Sequence, residues 1–318
     1  MRIDLQTITY GGWSNCLRLT NGHVEAVITT DVGPRILRYG LVSGENMLGE
    51  NQHEMGRRGG ATWRMYGGHR LWIAPEDETL TMVPDNDPVA WRWDGKTLSL
   101  QQTVDPASRI GKTLNLSMMP GGALILSHRL TNHGRKAVTL APWTITVMAP
   151  GGEAILPQEP YRSHRAQKTP ARPLVLWPYT NMADPRVAWG RDYIRVRGDA
   201  TLSVPFKIGF FSSRGWMLYR KGDLAFIKYH PVCVGAHADY GCNAEVFTAG
   251  RVLELESLGP LVRLAPGKSV EHAECWQVLH TSSASRNVAV PINKSATLPQ
   301  TVSGSELMRA ILASNSAH

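Results

Sequence analysis

The chain has 318 residues, with 34 Lys and Arg against 26 Asp and Glu, a formal net charge of +8 that favours anionic ligands without naming a function. Its opening residues, MRIDLQTITY, lack the apolar core of a secretion signal, and no stretch approaches the ~18 apolar residues of a membrane span. The basic residues fall in scattered groups (Arg57-Arg58, Arg162–Arg172, Arg191–Arg197) rather than in a basic helix or a known module, which argues against a nucleic-acid partner.

In chain order, short alternating or apolar runs recur about every ten residues. They are Leu17-Leu19, Val24–Thr29, Arg35–Tyr39, Thr97–Gln102, Lys112–Met118, Ala123–Leu130 and Val138–Met148. Turn signals separate them: Asn21-Gly22, Gly33-Pro34, Asp94-Gly95, Pro120-Gly122, Asn132–Gly134 and Pro150–Gly152. Helical periodicity is almost absent, so the pattern predicts an all-β sandwich or barrel. The segment Gln158–Asp192 carries many Pro, Arg and Trp residues with little alternation and reads as a long loop excursion, the kind that often bears function. One domain is expected over residues 1–281. From Ser282 to His318 the chain turns Ser-, Ala- and Asn-rich and reads as an appendage, with one short helix near Ser305–Ala313.

The stretch Cys242–Trp276 is the most informative. It divides into strand, Ala249-Gly250 turn, strand Val252–Leu258, Pro266-Gly267 turn, and strand Val270–Val278. Side chains alternate along a strand, so Leu253 and Leu255 share one face while Glu254 and Glu256 share the other. Asn243 and Glu245 precede them on the adjoining strand, with a parity that can set them beside the carboxylate pair. The plainer reading is a solvated acidic face. Upstream, Gly67-Gly68 leads into His69, Arg70, Trp72 and, past Pro75, Glu76. His69 and Arg70 point to opposite faces of a regular strand, and Arg70 shares its face with Trp72.

The four cysteines, Cys16, Cys233, Cys242 and Cys275, are irregularly spaced without a CxxC pair, so neither a zinc knuckle nor a disulfide scaffold is indicated. A cytoplasmic protein with reduced thiols is expected, with no metal and no cofactor. Cys233 and Cys242 do lie near His230, His237 and Asp239, but small buried thiols and loop histidines are the simpler reading.

The order GPRILRYGL, GGHRLWIAPE, LTNHG…APWTITVMAPGG and YGCNAEVFTAGRVLELESLGPLVRLAPG resembles the galactose-mutarotase-like superfamily, and within it the uncharacterised DUF4380 group. The resemblance spans roughly Ile8–Val278. It implies a large antiparallel β-supersandwich with a carbohydrate on a concave sheet face and aldose 1-epimerase-like isomerase chemistry. Leu255-Glu256-Ser257 followed by Ala265-Pro266-Gly267 is similar to the strand and turn that carry the epimerase base, which assigns Glu256 that role. Where the epimerases carry a His acid, Thr139–Met148 offers Trp143 instead, an aromatic surface for a sugar face. His69 is then the candidate acid. Arg70, Trp72, Glu76, Arg35, Trp143, Asp239, Asn243, Glu245 and Glu254 are candidate substrate-binding residues. Arg70, Arg35 and Arg64 suggest a preference for anionic sugars, unless carboxylates of the protein already pair them. The expected partner is a small carbohydrate, neutral or anionic. The alternatives are a non-catalytic carbohydrate-binding protein using the same concave site, or a β-sandwich interaction module.

Overall fold

The computed structural model describes residues 2–281 and the backbone of Thr297–Leu298, which runs parallel to Val232–Cys233. Apart from that pair, the predicted appendage Ser282–His318 and its helix lie outside the described residues. Among the described residues there is no helix, and none therefore that could cross a membrane.

Two large antiparallel sheets face one another. The first is ordered Asp4–Tyr10, Trp13–Thr20, Val24–Thr29, Arg35–Leu41, His69–Ala74, Val138–Val147, Val252–Leu258, Ala244–Ala249, Phe206–Phe210 and Val175–Leu176. Val262–Leu264 pairs with the outer end of Val138–Val147. The second is ordered Val187–Trp189, Tyr193–Arg197, Glu153–Pro157, Trp216–Lys221, Leu224–Tyr229, Ser269–His280, Leu124–Asn132, Ile110–Met118, Leu98–Gln101 and Ala90–Trp93.

Strand sequences follow the burial that each position imposes. Ile110–Met118 and Tyr193–Arg197 are covered on one face and alternate accordingly. His69–Ala74 and nearly all of Val252–Leu258 are buried on both faces. The main core fills the space between the sheets, with Ile28, Tyr39, Leu126, Phe226, Leu255 and Trp276 among its members. Gly67 and Gly68 bring the chain into His69–Ala74 with φ of 91° and 66°, so both lie in the left-handed region. A Cβ on Gly68 would lie 2.1 Å from the Ile36 carbonyl oxygen, so the close approach that sets the start of this strand requires glycine.

Candidate functional site

Five strands of the first sheet build the site: His69–Ala74, Val138–Val147, Val252–Leu258, Ala244–Ala249 and Phe206–Phe210. Cross-strand register puts Arg70, Ile145, Glu256 and Glu245 in one row, and Trp72, Trp143 and Leu258 in the next. Directly opposed residues of antiparallel strands point to the same side. One sheet face therefore collects Arg70, Trp72, Trp143, Glu245, Glu254 and Glu256.

At its centre the Lys207 ammonium lies 2.7 Å from Glu245 Oε2 and 2.9 Å from Glu256 Oε2. It also lies over the Trp143 and Trp177 rings, at 4.6 and 4.7 Å from their centroids. Trp143 Nε1 donates to Glu256 Oε2 at 2.8 Å. Beside this group Arg70 Nη2 donates to Glu254 Oε1 at 3.2 Å, while the Arg70 guanidinium stacks on Trp72 and Trp63. These charged groups are all buried. Burial therefore pushes the Glu254 carboxyl up, with Arg70 pulling the other way. Glu245 is raised well above the carboxylate range, by burial first and then by the Glu256 and Asp239 charges, against the pull of Lys207. Burial alone would lower Lys207, but its two carboxylate neighbours hold it well above the ordinary lysine value. One ammonium thus faces two carboxylates, one of which is driven to keep its proton.

Trp63, Trp177 and Tyr179 border this group and are only partly buried. Burial raises the Tyr179 hydroxyl to about 12, and Lys207, Glu256, Glu76 and Glu245 all act on it. Next to the Arg70–Glu254 pair a cavity of about 660 Å³ opens along the same face, lined by Glu50, Asn51, His53, Met65, Val147 and Arg251 among others. Met65 Sδ lies 4.0 Å from Arg70 Nη1 and marks the junction.

Several residues singled out in the sequence stand elsewhere. His69 points into the sandwich, away from Glu256, because it alternates with Arg70. Its Nδ1 meets Thr146 Oγ1 at 2.9 Å and its Nε2 meets His128 Nε2 at 2.7 Å. Asn243 clamps the backbone of Ser212, accepting from its N–H and donating to its carbonyl oxygen. Two others stay near the site: Glu76, exposed beyond the end of its strand, acts on Tyr179, and Asp239, half-buried in the turn before Asn243, acts on Glu245. Arg35 is fully buried, donating to Asp85 at 2.6 Å and to the Gly67 carbonyl oxygen. With Arg64 paired to Glu54, each of the three arginines expected to attract an anion already meets a carboxylate.

Lys207 and Trp177 were not singled out in the sequence. The signal for Lys207 is a lysine inside the apolar run Phe206–Phe210, and the signal for Trp177 is its place in the Gln158–Asp192 excursion.

Between the sheets a second polar group is buried. Lys228 Nζ lies 2.9 Å from Glu274 Oε1, and Glu274 also accepts from Ser257 Oγ and Trp276 Nε1. His272 Nε2 meets Ser257 Oγ, and His128 Nδ1 meets the His272 carbonyl oxygen. His69, His128 and Glu274 offer ligand atoms within 4.8 Å of one another. A consistent hydrogen-bond chain already uses those atoms, and an ammonium sits on the carboxylate, which disfavours a cation there. The four cysteines are buried and reduced, with burial pushing the Cys233 thiol up to about 11.

No protein-family model and no curated protein sequence matches the chain. In fold it is galactose-mutarotase-like. A galactose mutarotase-like protein from Lactobacillus casei superposes with a TM-score of 0.56 at 10% identity, covering 83% of this chain and 100% of that one. A galactose mutarotase related enzyme from Lactobacillus acidophilus gives 0.52 at 9% identity, over 84% and 98% of the two chains. A galactose mutarotase-like protein from Clostridium acetobutylicum gives 0.51 at 10% identity, over 87% and 98%. At these identities the likeness is one of fold.

Proposed function

We propose that the chain is an aldose 1-epimerase-like isomerase, with Glu256 as base and Glu245 as the matching acid. The observation that carries this reading is the Glu245–Lys207–Glu256 group, two carboxylates on one ammonium whose surroundings favour a proton on Glu245. Paired groups with divergent protonation are a means of assigning acid and base. In this scheme Glu256 accepts the proton of the anomeric hydroxyl while Glu245 gives its proton to the ring oxygen. The C1–O5 bond breaks to the open aldehyde, rotation about C1–C2 exposes the other carbonyl face, and the reverse transfers close the ring. Lys207 offsets the negative charge on the pair throughout. Trp177 and Tyr179, the rings of this group that reach solvent, supply apolar faces of the kind that pack on sugar C–H surfaces.

Because Arg35, Arg64 and Arg70 each meet a carboxylate, the substrate held at this group is read as a hydroxyl-rich aldose bound through hydrogen bonds. Anomeric exchange spectroscopy by NMR on a panel of aldoses tests the activity. The absence of a histidine beside Glu256 among the described residues supports a second reading, a sugar-binding protein without turnover. Ligand-induced thermal stabilisation without accelerated exchange would identify it.

A further inference from the structure

Between Pro160 and Gly198 eight lysines and arginines stand against two acidic residues, which is six of the chain's eight net positive charges. The sequence shows these residues as separate short groups; the fold brings several of them together. The Tyr161 ring lies beneath both Arg172 and Arg191, at 6.0 and 5.6 Å from their guanidinium carbons. Arg172 Nη1 donates to the Arg191 carbonyl oxygen at 2.7 Å, which ties the two loops together. A surface hollow of about 320 Å³ adjoins them, lined by Trp189, Arg191, Tyr193 and Arg195 among others. Tyr161 is 61% exposed, and Trp189 and Tyr193 are each 39% exposed, so three aromatic rings reach solvent beside these guanidinium groups. Among the described residues Arg162, Arg165, Lys168, Arg195 and Arg197 pair with no carboxylate, and Arg191 meets only its exposed neighbour Asp192.

We propose that this face binds an acidic polysaccharide. Guanidinium groups grip carboxylates or sulfates bidentately, and exposed Trp and Tyr rings pack against sugar faces. The same excursion supplies Trp177 and Tyr179 to the Glu256 group, and Thr180 Oγ1 bonds the Lys207 carbonyl oxygen, so the outer face and the Glu256 group share one segment. Choosing a polysaccharide over a polynucleotide rests on the sugar reading of the Glu256 group. Anion recognition, expected in the sequence at Arg35 and Arg70, moves to the outer surface.

The test is titration of the full chain with heparin, polygalacturonate, neutral dextran and a single-stranded oligonucleotide of matched charge, at low and high salt. The expected result is binding of the two acidic polysaccharides, weakened by salt, with none to dextran and a weaker response to the oligonucleotide. Arg191→Ala with Arg195→Ala should weaken polysaccharide binding by roughly tenfold or more, since one charge-assisted hydrogen bond is already worth about tenfold. Both side chains are exposed, so the fold should be intact by circular dichroism. Anomeric exchange on free aldoses should be unchanged in this variant, which separates a failure of this face from a failure of the Glu256 assignment. The proposal is overturned if neither acidic polysaccharide binds at low salt, if the double variant binds as well as wild type, or if the oligonucleotide binds more tightly.

Discussion

Glu245 and Glu256 lie directly opposite one another on neighbouring antiparallel strands and share the ammonium of Lys207. Direct opposition of two carboxylates destabilises a sheet pair in water. Here both are buried, and the arrangement holds because one cation bridges them and one carboxyl is driven to stay protonated. Function and stability therefore meet in the same three side chains.

Glu245 sets the alkaline side of the activity. Its carboxyl is raised by burial, so the proton it contributes is kept beyond the ordinary carboxylate range and lost as pH climbs through that raised value. Turnover should fall on the alkaline limb. Glu245→Gln should lower the rate at every pH and abolish that limb, because Gln has no proton to lose. Initial-rate profiles from pH 6 to 10 check this, and an unchanged alkaline limb in the variant would remove Glu245 from the mechanism.

Lys207 is the cation on which the site depends structurally. Lys207→Met leaves the buried Glu256 carboxylate without its counter-charge, and removing one partner from a buried ion pair costs about 3–5 kcal/mol. Urea denaturation should show that loss. Adding Glu256→Gln to the same chain should restore part of it by removing the stranded carboxylate. If the single variant is as stable as wild type, the ion pairs are not holding the sheet face together.

The polar group between the sheets makes the fold sensitive to acid. Burial lowers His69, His128 and His272, and takes His230 to about 4. The unfolded chain, with histidines near 6.5, binds more protons than the folded one across this range. Stability is thus full above about pH 6.5 and falls as pH drops towards about 4. Burial alone would raise Glu274, but the Lys228 ammonium holds it well below the carboxylate range, which extends the loss to lower pH. Melting temperatures measured between pH 7.5 and 4 should decline steadily. A flat profile over that interval would show that these imidazoles do not stay neutral in the fold.

Much of this was legible from alternation alone. Period-two side-chain direction separates Glu254 and Glu256 from Leu253 and Leu255, and it sets Arg70 with Trp72 and against His69. The turns at Ala249-Gly250 and Pro266-Gly267 bound the strands as expected. What alternation cannot supply is the neighbour across the sheet. Phe206–Phe210 pairs with Ala244–Ala249 only after the chain has crossed to the other sheet and back through Trp216–Lys221 and Leu224–Tyr229, so nothing local marks Lys207 as the partner of Glu245 and Glu256. The same holds for His69: its direction follows from the strand, but its neighbours His128 and Glu274 come from the opposite sheet. Arg35 illustrates a third limit, since a cation spent on a distant Asp85 looks the same in sequence as one awaiting a ligand.

The most direct test of the epimerase assignment is anomeric exchange measured by two-dimensional NMR on an aldose panel, comparing wild type with Glu256→Gln. The substitution keeps the size of the side chain and an oxygen to accept from Trp143 but removes the base. Wild type should accelerate exchange above the buffer rate for at least one aldose, and the variant should lose about 10²–10⁴ of that acceleration while keeping its fold by circular dichroism. A folded variant that exchanges as fast as wild type, or a wild type no faster than buffer on every aldose, would contradict it.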